Sequence, residues 1–542
     1  MRLVFRSETV ESRKPINPSM KLFIVILAIF SIAINVFLLK DFRSGDAFIT
    51  MYFGLNLNEG RYLEFNMNEP SSGASSPLWM ILHASMRVIS VHFLDLYTHF
   101  ILMKAVNVLL LILATIVLWK IMEKSGTSFV IQMIVLLSWV INPFVINWTS
   151  RCLEVPLQAL TCWYAIYRIL IRTEDRGKWS SFLDGAVFGL MLLTRYESGL
   201  LVCVLTAFSL GTKRWRGLYD FILLVCGFLL IYGYHLGFML SVFGTILPTT
   251  AVKGGRLSLA GLEPIKHLLF FYGPFVVLFL LGLLTFRRMP QPKKAISLWI
   301  IGHLCFIVFI LGYSHQQRYF LVVIPLMIWM ALESPLISSI TKYLERIQPG
   351  KVMGGACMLV LTLGAALIIY GSMENSWLHR FILLQRGDLR TRTEMAEYIK
   401  REIAPDALIA MKEVDWIPLY SKCNTLDMVG ILYEDMNKHR GDIVALLKDR
   451  KPKYIILEEN FIRSAGGGHS INVFKLKLLD LLRAQKQVFE TDGMQFEYVH
   501  SVPYYGSGGL YELFSEVFKS AGKHSASERS KWKWYLLRVG YS

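Results

Sequence analysis

Residues 21–50 read KLFIVILAIFSIAINVFLLKDFRSGDAFIT, an apolar run from Lys21 to Leu39 followed within a few residues by Asp46. The run is long enough for a helix to cross a bilayer. Arg2, Arg6, Arg13 and Lys14 precede it and no small-residue cleavage pattern follows, which reads as an uncleaved signal anchor with a cytoplasmic amino terminus. Asp46 is therefore expected on the outer membrane surface, at the head of an amphipathic stretch.

The rest of the chain repeats the theme. Of 542 residues 54% are apolar and 18% charged, and the mean hydropathy is +0.45, which excludes a soluble protein. The net charge of +17 does not argue for nucleic acid, because the basic residues gather between apolar blocks. Seven cysteines form no CxxC pair and no His/Cys ligand set, so neither a disulfide framework nor zinc is expected. Further runs of crossing length lie near 98–121, 128–147, 155–171, 218–241, 266–286, 296–312, 319–333 and 352–372. Ser181–Gly211 is too long for one helix and carries Arg195 and Glu197 at its middle, the pattern of a helical hairpin with a recessed tip. The expectation is a polytopic α-helical membrane protein of about eleven spans.

Threading them alternately places Lys120 with Lys124, Arg168–Lys178, Lys213–Arg216, Arg287–Lys294 and Lys342–Lys351 on the amino-terminal side, the positive-inside pattern. The other side receives the long loop 40–97 with its two amphipathic stretches, the turn at 148–154, the hairpin tip, the loop 242–265, the turn 313–318 and everything after about 373. Two units are expected: a bundle over 1–372, and an extracytoplasmic α/β domain over 373–542 with helical Thr393–Glu402 and Gly441–Asp449 and strand-like Ala407–Met411 and Tyr454–Leu457. The basic, aromatic stretch Lys519–Arg538 reads as a solvated tail, with a membrane-surface role the alternative.

Five places carry chemistry. Asp46 is either a general base or a helix N-cap. Glu154, in a short outer turn, is either functional or paired with Arg151. Arg195 and Glu197 would each cost about 2.5 to 3.5 kcal/mol near a helix centre, which favours function. Lys253 and Arg256, in a glycine-containing loop, could bind an anionic phosphate. His315 and Arg318 occupy an outer turn, where Arg318 could equally anchor its helix at the interface. His83, His235 and His303 sit on apolar elements and read as packing residues.

In this order the pieces resemble the GT-C class of integral-membrane glycosyltransferases, in particular the bacterial branch that includes the mycobacterial terminal arabinofuranosyltransferase. The resemblance rests on Gly45-Asp46-Ala47-Phe48-Ile49, Asn56 to Gly60, Ser76-Pro77-Leu78-Trp79, Arg151-Cys152-Leu153-Glu154, Thr194-Arg195-Tyr196-Glu197-Ser198-Gly199, Leu247 through Lys253, and Arg318-Tyr319 with Pro325. It covers residues 20–335 and, more loosely, the tail. The pattern's first acid is Gly45 here, which leaves Asp46 alone as the base and leaves use of a divalent metal open.

The resemblance implies transfer of one sugar from a polyprenyl-phosphate donor to a hydroxyl acceptor on a glycan, lipid or protein, at the outer face of the cytoplasmic membrane. Asp46 would be the base in an inverting displacement, with Lys253, Arg318 and Arg195 on the donor phosphate. Glu154, Glu197 and His315 would position sugar or acceptor, and no cofactor is required, because phosphate is a competent leaving group. A lipid-linked sugar flippase, or a catalytically degenerate binding protein, is the alternative.

Overall fold

The computed structural model describes residues 18–34, 39–40, 44–171, 179–212, 217–248, 262–311, 317–334, 375–429, 432–433, 438–439, 442–458, 474, 477–481, 487–503 and 533–541. Its helices are α1 (Pro18–Ile32), α2 (Gly45–Asn58), α3 (Pro77–Ser90), α4 (Leu96–Lys124), α5 (Phe129–Val140), α6 (Pro143–Ser150), α7 (Val155–Ile166), α8 (Ser180–Thr194), α9 (Gly199–Gly211), α10 (Leu218–Phe238), α11 (Leu262–Leu283), α12 (Gln291–Phe306), α13 (Ile324–Leu332), α14 (Asn375–Glu402), α15 (Trp416–Ser421) and α16 (Ile443–Arg450).

Among the described residues three helices are long and apolar enough to cross a membrane: Leu96–Lys124, Leu218–Phe243 and Gln291–Phe309. A bent pair, Phe129–Val140 with Phe144–Ser150 at 46°, would make a fourth. Pro143 at the start of α6 causes the bend, because it cannot donate back into α5. The expected span at 319–333 forms instead a 3₁₀ turn, Gln317–Phe320, and the short α13, whose residues Ile324 to Ala331 are all buried. Its apolar residues pack against other parts of the protein. The expected span at 352–372 lies outside the described residues. Leu218, Leu230 and Tyr234 on α10 face outward, as lipid-facing residues do.

The helices α8 and α9 meet only beside their break; α8 runs along α10, and α9 packs on α12. Glycines set the α8–α10 crossing. A Cβ on Gly185 would lie 1.9 Å from the Leu224 carbonyl oxygen, and one on Gly227 1.9 Å from that of Phe182. Such an approach is open only to glycine. Gly185→Ala should force the backbones apart and cost about 1–3 kcal/mol. Gly237→Ala, with nothing within 4 Å, should not. Thermal unfolding of the two variants in detergent checks this.

The segment between α1 and α4 carries α2, a two-stranded ribbon of β1 (Glu64–Asn66) and β2 (Glu69–Pro70), and α3. Gly60, at φ +81°, takes the left-handed conformation that ends α2. Asn56 then donates to the Glu64 and Phe65 carbonyls at 2.9 and 3.2 Å, folding the ribbon back on the helix.

From α14 onward the chain forms a six-stranded sheet in the order β4-β3-β5-β8-β7-β6, where β3 is Leu408–Met411, β4 Asn424–Asp427, β5 Tyr454–Glu458, β6 Val488–Thr491, β7 Met494–Pro503 and β8 Lys533–Tyr541. The first three strands are parallel and β8, β7 and β6 antiparallel. The solvated-tail reading of 519–538 fails for its described part. There β8 lies between β5 and β7 with Trp534, Leu536, Leu537 and Val539 buried and Lys533 and Arg538 exposed.

Over the carboxyl ends of these strands Arg392 reaches Asp388 at 2.7 Å, Glu413 at 3.9 Å, and Asp415. Burial, with the Asp415 and Glu458 charges adding to it against the pull of Arg392, raises Glu413 to about 7. An acid raised above its unfolded value holds its proton longer when folded. Its contribution to stability therefore falls as pH rises from about 4.5 through 7. Glu413→Gln should raise the melting temperature by a few degrees at pH 8 relative to wild type, and the difference should vanish near pH 5. Paired melts of the full chain measure it.

Candidate active site

The head of α2 is fixed before Asp46 is reached. Lys104, buried on α4, donates to the carbonyls of Leu39 and Lys40 at 2.9 and 2.7 Å, an economical use for a cation that cannot reach water. Ser44 stands at the N-cap in an extended conformation, and Asp46 falls in the first turn. Its carboxylate does not cap the helix: Oδ2 accepts from Arg318 Nη1 at 3.0 Å, with Asp46 43% exposed and Arg318 8%. One partner faces water and the other is buried.

Arg318 occupies the turn Gln317–Phe320, and its guanidinium lies 5.6 Å from the Trp148 ring and 5.3 Å from that of Tyr319. Its Nε has no acceptor among the described residues. Two bonds hold this turn from below: His303 Nε2 to the Tyr319 carbonyl at 2.9 Å, and Trp163 Nε1 to that of Val322 at 2.9 Å. The Tyr319 ring also meets Arg195, at 4.8 Å, so one aromatic ring is shared by two arginines.

Arg195 interrupts the apolar block between α8 and α9 in an extended conformation, φ −158° and ψ 130°. Its Nε donates to Glu197 Oε1 at 2.7 Å and its Nη1 to Glu154; all three side chains are buried. Glu154 thus pairs with Arg195 and not with Arg151. Arg151 donates to Asn147 at 3.0 Å, stacks 5.3 Å from Trp148, and lies within electrostatic reach of Asp46 and Arg318. The turn carrying Glu154 is fastened by Asn107, which donates to the Thr149 and Leu153 carbonyls at 3.2 and 2.8 Å, and by Trp79 Nε1 on the Cys152 carbonyl at 3.2 Å.

The structure therefore brings Asp46, Arg318, Arg195, Glu154 and Glu197 into one continuous network. Lys253, Arg256 and His315 lie outside the described residues. Tyr319, Trp148 and Arg151 belong to the network although sequence reasoning had not placed them in the site. An aromatic beside an arginine at a span end is an ordinary interfacial pattern and gave no signal. Beside Tyr196, a small cleft lined by Leu63, Ser72, Ser75, Tyr232, His235 and Pro248 opens between the α2–α3 segment and α10. His235 is held there by Tyr62 at 2.7 Å. Among the described residues no group of three or more His, Cys, Asp or Glu is placed to hold a metal.

A sequence family described as a domain of unknown function (DUF8728) matches residues 382–514, the α/β unit. No curated protein matches the chain. Among solved structures, ArnT from Cupriavidus metallidurans superposes with a TM-score of 0.50 at 12% identity, covering 82% of this chain and 94% of that one. The oligosaccharyltransferase of Archaeoglobus fulgidus superposes at 0.49 and 11% identity, over 83% of this chain and 70% of that one. The likeness to ArnT is one of fold: the chain shares the polytopic helical membrane fold of that protein.

Proposed function

We propose that this chain is a glycosyltransferase that moves a single sugar from a polyprenyl-phosphate donor to a hydroxyl acceptor, with inversion, at the outer face of the cytoplasmic membrane. The observation that carries the reading is the Asp46–Arg318 pair, a water-accessible carboxylate against a buried cation that has a donor to spare. The shared fold with ArnT supports the class, and the resemblance of 20–335 supports the arabinofuranosyltransferase-like branch. Residues 1–372 form the catalytic bundle in this reading, and residues 373–542 an outer domain.

Donor phosphate binds Arg318 through the free Nε, with Lys253 as the second cation, and competes with Asp46 for the guanidinium. The released carboxylate oxygen of Asp46 takes the proton of the acceptor hydroxyl as that oxygen attacks the anomeric carbon. The bond from that carbon to the phosphate oxygen breaks on the opposite face, and polyprenyl phosphate leaves with its charge neutralised. Arg195, engaged by two carboxylates, fixes Tyr319 beneath Arg318, and His315 contributes on the acceptor side. Glycan, lipid and protein hydroxyls are all chemically suitable acceptors.

The test is to incubate the purified chain in vesicles with a panel of radiolabelled polyprenyl-phosphate sugars and hydroxyl acceptors. Label should pass to an acceptor from at least one lipid donor and from no nucleotide sugar. Label that instead crosses the bilayer still attached to its lipid would replace this reading with transport.

A further inference from the structure

Helix α2 does not end in solvent. Its first residue, Gly45, faces the first residues of α15 in the α/β unit, and the Asp415 carboxylate fills the room that a side chain at position 45 would need. A Cβ there would stand 3.0 Å from Asp415 Oδ2 and 3.5 Å from its Cβ. Asp415 cannot easily give way. Its Oδ1 accepts from the Trp416 amide at 2.5 Å, its Oδ2 is bound by Arg392, and Arg392 lies 5.2 Å from the Trp534 ring. Trp416 is tied in turn by Nε1 to Thr393 Oγ1 at 2.9 Å.

One turn on, the Phe48 ring sits between Phe100 of α4, at 4.9 Å, and Trp416, at 5.0 Å. The far end of α2 is held by the same unit: Lys422 reaches Glu59 at 3.1 Å and lies 5.2 Å from the Tyr52 ring. Beyond it, Asn66 exchanges two hydrogen bonds with the backbone of Thr425, at 2.9 and 2.8 Å. Ser71 donates to the Leu432 carbonyl at 2.6 Å. The helix that carries Asp46 is thus clamped at both ends by a sheet that follows it by more than three hundred residues.

We propose that Asp415 is a positioning residue: by abutting Gly45 it fixes the start of α2 and so the place of the Asp46 carboxylate against Arg318. This rests on the transferase reading for its consequence in activity, and on geometry alone for the clamp. The carboxylate lies at the positive end of α2, so charge and shape favour the same register. A misplacement of about 1 Å in a reacting group costs up to about a hundredfold in rate, which gives the contact its weight.

The experiment uses the full chain and four forms: wild type, Gly45→Ala, Asp415→Ser and Gly45→Ala/Asp415→Ser. Serine still caps α15 but leaves space for a methyl group. Gly45→Ala should lower kcat about 10- to 100-fold with little change in KM for the lipid donor, and the double variant should recover most of that loss. Hydrogen exchange over residues 44–50, measured without substrate, should rise in Gly45→Ala and return in the double variant. Unchanged exchange together with activity within twofold of wild type for Gly45→Ala, or a double variant no better than the worse single one, overturns the proposal. If exchange responds as stated while wild type transfers no sugar, the clamp stands and the transferase reading falls.

Discussion

Asp46→Asn should lower the turnover number for sugar transfer by about 10² to 10⁴, the usual span for removing a general base, while leaving KM for the lipid donor within a few-fold. The asparagine is nearly the same shape, and its carbonyl can still accept from Arg318. It cannot take the acceptor proton, so the loss falls on a step that only the transition state experiences. Fold should survive, because the side chain is about half exposed and caps no helix. Asp46→Glu keeps the charge and displaces it by one methylene, so it should fall between the two. Initial rates at saturating donor, together with matched melting curves for the three proteins, decide the matter. Near-normal turnover in Asp46→Asn would remove the base assignment, and a loss of fold in the same variant would show that the carboxylate serves structure.

What could be read from residue order, and what could not, follows the range of the interactions involved. The expense of Arg195 and Glu197 inside an apolar block is a local property, legible at once, and both are buried in the network. The partner of Arg195 is not local. Glu154 lies 41 residues away and carries Arg151 as a plausible neighbour in sequence, so the nearer pairing looked natural until the turn fastened by Asn107 carried the carboxylate the other way. Hydropathy over 319–333 does not show that its helix is only Ile324–Leu332 and buried on every side. In the tail, β3 and β5 announce themselves as short apolar runs. The strand β8 is disguised by Lys533 and Arg538, which stay exposed while Trp534, Leu536, Leu537 and Val539 around them are buried. Nothing in Gly45-Asp46 alone hints that the glycine makes room for a carboxylate contributed by the tail.

Arg195→Met should prevent stable folding, and the reason lies in which groups remain. Methionine fits the volume, but it leaves Glu154 and Glu197 facing each other in a buried site with their cation gone. Breaking a buried pair from one side costs about 3–5 kcal/mol, because the surviving charges are neither hydrated nor compensated. A protein of ordinary stability has little beyond that to lose. The Tyr319 ring would also lose one of its two arginine neighbours, loosening the support of Arg318. The expected result is loss of monodisperse protein in detergent, or a melting temperature lower by at least about 5 °C. Adding Glu154→Gln and Glu197→Gln to Arg195→Met removes the stranded charges and should restore most of the fold, since neutral amides can hydrogen-bond to each other at far smaller cost. Transfer should not return with it, because the triple variant no longer holds Tyr319 and Arg318 in register with Asp46. Restored fold without restored transfer separates the two duties of this arginine; wild-type melting and activity in Arg195→Met would show that the trio contributes neither.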